Sequence, residues 1–98
     1  MKTIRQPAVA GLFYPADPRS LRAEVDGYLD EAAGDVGPPP KALIAPHAGY
    51  VYSGPVAAHA YARLRTVADR ITRVVLLAPA HRWPFYGLAV PEADEFQT

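Results

Sequence analysis

Apolar positions follow two different rhythms along this chain. Lys41-Ala42-Leu43-Ile44-Ala45-Pro46 and Arg73-Val74-Val75-Leu76-Leu77-Ala78-Pro79-Ala80 are short apolar runs without alternation. Such runs predict strands buried on both faces of a parallel sheet, at 41–46 and 73–78. Elsewhere the period lengthens: Leu21, Val25, Tyr28, Leu29 and Ala32 recur at i, i+4, i+7, i+8 and i+11. That spacing predicts an amphipathic helix, with Asp17 as N-cap, Pro18 in the first turn and an end near Gly34. A second helix follows the first run. Its apolar face is Val56, Ala57, Ala60, Tyr61 and Leu64, and its start is expected at Ser53 or Gly54 with Pro55 in the first turn.

The remaining segments are connectors. Residues 3–15 place Ile4, Val9, Leu12, Phe13 and Tyr14 between Pro7, Gly11 and Pro15, which reads as extended or looped backbone with aromatic anchors. Gly37-Pro38-Pro39-Pro40 is a stiff link into the first strand. Arg82-Trp83-Pro84-Phe85-Tyr86-Gly87 is an aromatic loop, and Leu88-Ala89-Val90 is expected as a third strand that stops at Pro91. The order strand, helix, strand predicts an α/β fold, with a mainly parallel sheet and flanking helices. With 98 residues the chain is one small domain. A parallel sheet covered on both faces needs more strands than these. Residues 95–98 carry no visible terminating element, so the expectation is the amino-terminal part of a larger domain.

Composition changes the picture by exclusion. Ten basic and ten acidic residues give a net charge of zero, so no electrostatic pull toward nucleic acid or an anionic membrane is expected. The chain has no cysteine and therefore no disulfide framework or thiolate metal site. No signal peptide pattern is visible, and no run approaches the ~20 apolar residues of a membrane span. The expected location is cytoplasmic. An uncovered sheet edge would favour self-association.

The chemistry lies where the two runs end. The first runs into His47 and the second into His81. Ligands of open α/β sheets bind outside the carboxyl ends of the strands, so both imidazoles are expected in one crevice. Neighbouring strands lie only ~5 Å apart, and neutral imidazole is a common metal ligand. His47 and His81 are thus candidate ligands of a divalent metal, and a usable site needs at least one further donor. No carboxylate is well placed to supply it: Asp17 reads as a cap, Asp26, Asp30 and Glu31 lie on or near the exposed side of the first helix, and Asp94 and Glu95 follow the third strand. The plainer reading of a loop histidine, a polar group satisfied by a carbonyl, is weakened by the equivalence of the two endings. His59 lies outside the apolar arc of its helix and reads as a surface residue. Gly49 and Gly54 match neither a Walker A loop nor a dinucleotide fingerprint. Ser53 lacks the setting of a nucleophile elbow and reads as a cap. Tyr50, Tyr52, Trp83, Phe85 and Tyr86 could line an aromatic pocket over the crevice.

Three segments, in order, resemble the Memo family, which includes the AmmeMemoRadiSam system protein B members of bacteria and archaea. They are Arg5-Gln6-Pro7-Ala8-Val9-Ala10-Gly11-Leu12-Phe13-Tyr14-Pro15, then Pro46-His47-Ala48-Gly49-Tyr50-Val51-Tyr52-Ser53-Gly54, then Ala78-Pro79-Ala80-His81, where the family commonly has Pro-Ser-His. The resemblance implies that residues 1–98 are the amino-terminal portion of a single Memo-like α/β domain. It also implies a dioxygenase-like fold, similar to the class III extradiol ring-cleaving enzymes that use non-heme iron. His47 and His81 match two metal-site histidines, which makes iron the expected metal, with copper or zinc as alternatives. The other ligands, a histidine and a cysteine or acidic residue, are expected beyond Thr98, leaving this chain alone inactive, with or without a metal bound. Arg5, Tyr50 and Ser53 are the expected substrate-binding residues. The ligand is expected to be a small molecule or a peptide, in an enzyme or in a non-catalytic metal- or (phospho)peptide-binding protein.

Overall fold

The computed structural model describes residues 1–34 and 37–98. Two helices and a minimal parallel sheet make up its regular structure. Strand β1 (Ile4–Arg5) pairs with β2 (Glu95–Phe96), in the register Ile4 to Glu95 and Arg5 to Phe96. Helix α1 (Pro18–Glu31) precedes α2 (Tyr50–Tyr61), which continues into a 3₁₀ stretch, Ala62–Arg70. The chain is a small α/β protein with a two-stranded parallel sheet.

Helix α1 forms where its local signals place it. The Asp17 carboxylate accepts hydrogen bonds from the Ser20 backbone N–H and hydroxyl, both at 2.9 Å, and Pro18 opens the first turn. Those bonds satisfy donors that a helix start leaves unpaired. The Ala32 N–H closes the helix on the carbonyls of Tyr28 and Asp30, two residues short of Gly34.

Helix α2 begins four residues before Gly54 and three before Ser53, which corrects the expected start. Gly49 is the N-cap residue, and no side chain caps this helix. The Tyr50 N–H instead donates to the Phe13 carbonyl at 2.8 Å, so a contact from the amino-terminal loop starts the helix. Ser53 lies inside it, with its hydroxyl turned back to the preceding loop. Pro55 also lies inside, where it removes one backbone hydrogen bond.

The two helices pack against each other through Tyr28 and Gly54. A Cβ at Gly54 would lie 2.6 Å from Tyr28 Cε2, so only glycine admits the ring. The Tyr28 hydroxyl donates to Glu24 Oε1 at 2.9 Å and contacts the Tyr50 carbonyl at 3.3 Å. Asp30 of α1 pairs with Arg65 at 3.0 Å, and Arg63 Nη2 donates to the Pro38 carbonyl at 2.9 Å. Among the described residues only Ala32, Ser53 and Ala58 are buried, so the core is thin.

The predicted strands are the main correction. Residues 41–46, 73–78 and 88–90 join no strand ladder. Ile44 is fully exposed, and Val74, Val75, Leu76 and Leu77 are between 76% and 86% exposed. The physical reason is that a strand needs a neighbour for its backbone and a cover for its faces, and the described residues provide neither. The mainly parallel sheet is present only as the β1–β2 pair. Among the described residues, no helix is long and apolar enough to cross a membrane.

Candidate functional site

The first apolar run delivers His47 three residues ahead of α2, and the second delivers His81 after the 3₁₀ stretch. Although neither run is in a ladder, the two imidazoles meet. Nε2 of His47 lies 3.0 Å from Nε2 of His81, with ring centroids 5.3 Å apart and ring planes inclined by 37°. Both residues are exposed. One neutral ring could donate its N–H to the other, which requires opposite tautomers. Two imidazoles on one cation satisfy the same separation. Metal–nitrogen bonds of ~2.0–2.1 Å at a right angle put the donor atoms about 3.0 Å apart. The separation of the two donor atoms therefore matches that of two adjacent positions on one ion.

A third donor is not at hand. Among the described residues, no group of three His, Cys, Asp or Glu side chains could hold a metal. Asp94 and Glu95, the acidic residues weighed for that role, are engaged at the amino terminus. Asp94 Oδ2 accepts from the Thr3 N–H at 2.9 Å, and Glu95 pairs with Lys2 at 2.6 Å.

Beside His47 lies a cavity of about 600 Å³, bounded by α1, α2 and the amino-terminal loop. Phe13, Tyr14, Tyr28, Tyr50 and Tyr61 give it an aromatic wall, and Val25 and Leu29 an aliphatic one. Tyr50 is central. Its ring centroid is 5.7 Å from that of Tyr14 and 6.5 Å from that of Tyr28, the latter edge-on. Burial is the main cause that pushes the Tyr50 phenol above its ordinary value, and the neighbouring Tyr14, Glu24 and Tyr61 add to it. It stays a neutral hydroxyl at physiological pH.

The expected aromatic pocket is not the one that forms. Tyr52, Trp83 and Tyr86 are about 80% exposed or more, and Phe85 is half exposed. Of the five residues, only Tyr50 lines the cavity. Tyr14 and Tyr28 take the places of the others; sequence reading assigned them to loop anchoring and to the helix face, and neither carries a local signal of a binding wall. Ser53 also lines the cavity, but its hydroxyl donates to the Ala48 carbonyl at 2.9 Å. Arg5 does not line this cavity: it sits on β1, with its guanidinium 5.4 Å from the Phe96 ring centre. His59 is exposed, in keeping with its helix phase.

The sequence belongs to a recognised protein class. The Memo family profile, described as "Memo-like protein", matches residues 5–98, and the chain belongs to that family. A MEMO1 family protein of Methanothermobacter thermautotrophicus is 41% identical over 97% of this chain and 36% of its own length. The MEMO1 proteins of Danio rerio and Homo sapiens are 39% and 36% identical, each over 96% of this chain and 31% of their own length. The chain thus spans about a third of the length of these curated relatives. No solved structure matches it.

Proposed function

We propose that this Memo-family chain binds a divalent metal, with His47 and His81 in adjacent coordination positions. The observation that carries the reading is the 3.0 Å approach of the two Nε2 atoms. Iron is the metal to test first, on the dioxygenase-like reading of the sequence, with copper and zinc as comparisons. A bound ion of this kind supplies Lewis acidity and, in the case of iron, redox chemistry. The remaining donors come from outside the described residues or from solvent. Tyr50 and the aromatic wall beside His47 would then hold the apolar part of a small-molecule or peptide ligand.

Anaerobic equilibrium dialysis against Fe²⁺ tests the metal assignment. The expected result is uptake by the wild-type chain that is lost in His47→Ala and in His81→Ala, with helical circular dichroism retained in both. Equal uptake by all three chains would assign the imidazole contact to a hydrogen bond alone. It would also direct the search for function to peptide ligands of the cavity.

A further inference from the structure

Ser53 stands out as a buried polar side chain in a helix that gains nothing from it locally. It is 7% exposed, and alanine would serve the helix better by propensity. Its hydroxyl reaches out of the helix to the loop before it. The Oγ donates to the Ala48 carbonyl at 2.9 Å, with a longer contact of 3.5 Å to the Gly49 carbonyl. Ala48 is the residue directly after His47. A second anchor lies in the same stretch, where the Tyr50 N–H donates to the Phe13 carbonyl at 2.8 Å. The residues that follow His47 are therefore tied both to a buried hydroxyl and to the amino-terminal loop.

We propose that Ser53 is a positioning residue for His47, acting through the loop carbonyl rather than as a metal ligand. Its hydroxyl fixes the peptide after His47, and so fixes where the imidazole meets His81. Productive sites hold their donor atoms to within ~0.5 Å, and a supporting hydrogen bond one layer out is typically worth 10–100-fold in metal affinity. The inference rests on the metal reading above for its affinity readout, and on the imidazole contact alone for its second readout.

The test compares the wild-type chain with Ser53→Ala, Ser53→Thr and His47→Ala. Co²⁺ is the metal probe, followed by its visible absorption. Nuclear Overhauser contacts between the His47 and His81 rings are measured in the metal-free chains. In Ser53→Ala, Co²⁺ affinity is expected to fall about tenfold or more and the ring-to-ring contact to weaken, with helical circular dichroism kept. Ser53→Thr, which retains the hydroxyl, restores both. Unchanged ring contacts in a folded Ser53→Ala chain would overturn the positioning role, as would a Ser53→Thr chain as impaired as the alanine variant. Should Ser53→Ala not fold, Ser53→Cys keeps the volume with a weaker donor and is judged by the same two readouts. If wild type and His47→Ala take up Co²⁺ alike, the metal reading fails, and the ring contacts still decide the role of Ser53.

Discussion

At the scale of single residues, the contact between Tyr28 and Gly54 sets how closely the helices approach. The ring occupies the space that any side chain at position 54 would need. Gly54→Ala is therefore expected to destabilise the chain by ~1–3 kcal/mol, the usual cost of overpacking, because the ring must leave its place. Thermal unfolding checks this, and the penalty should shrink in a Tyr28→Ala background, where nothing opposes the new methyl. Gly54 invites a different reading in the sequence, as a helix start or as part of a phosphate loop. Its actual partner lies 26 positions away on another helix, beyond the reach of any local pattern. His47 and His81 are the opposite case. Their equivalent positions after two similar runs announce a meeting, and the structure brings them to 3.0 Å.

At the scale of elements, legibility follows the range of the forces involved. Helix α1 is written into its own residues: Asp17, Pro18 and the spacing of Leu21, Val25 and Leu29 place it to within two residues. The start of α2 is not, because the Phe13 carbonyl stabilises it from a distant loop while Ser53 and Pro55 imitate a later start. The strands have the right composition but lack the neighbours that would turn composition into ladders. The cap of α1 also carries a pH dependence. Hydrogen bonds from the Ser20 backbone N–H, and then from its hydroxyl, lower the Asp17 carboxyl below its ordinary value. A carboxyl with a lowered folded-state value stabilises the fold fully above its unfolded value of about 4, and the contribution fades as pH falls through the folded value. Acid titration followed by circular dichroism should show α1 fraying below pH ~4. In Asp17→Ala that portion of the acid transition should be absent and the helix weaker already at neutral pH.

At the scale of the molecule, exposed apolar surface dominates. Val74, Val75, Leu76 and Leu77 stand side by side in solvent, and Ile44, Leu88 and Val90 add to them. Contiguous patches of this kind seek a cover, and unpaired backbone beside them is a template for another strand. Sedimentation velocity on the 98-residue chain is expected to show concentration-dependent association. Val75→Lys with Leu77→Lys should reduce it, by charging the run without touching either histidine. A wild-type chain that stays monomeric across the concentration series would show that the run is shielded within its own molecule.

The β1–β2 pair has a topological meaning as well. The Thr3 N–H and Asp94 are 91 positions apart, and the Gln97 N–H donates to the Arg5 carbonyl. The stretch between Thr3 and Asp94 is thus a closed loop, and closing a flexible loop of that size costs about 4 kcal/mol of chain entropy. The two ladder pairs, the Thr3–Asp94 bond, the exposed Lys2–Glu95 ion pair and the Arg5 guanidinium over Phe96 hold that loop shut. Both strands of the clasp are exposed, so the loop is fastened at a buckle that water can reach.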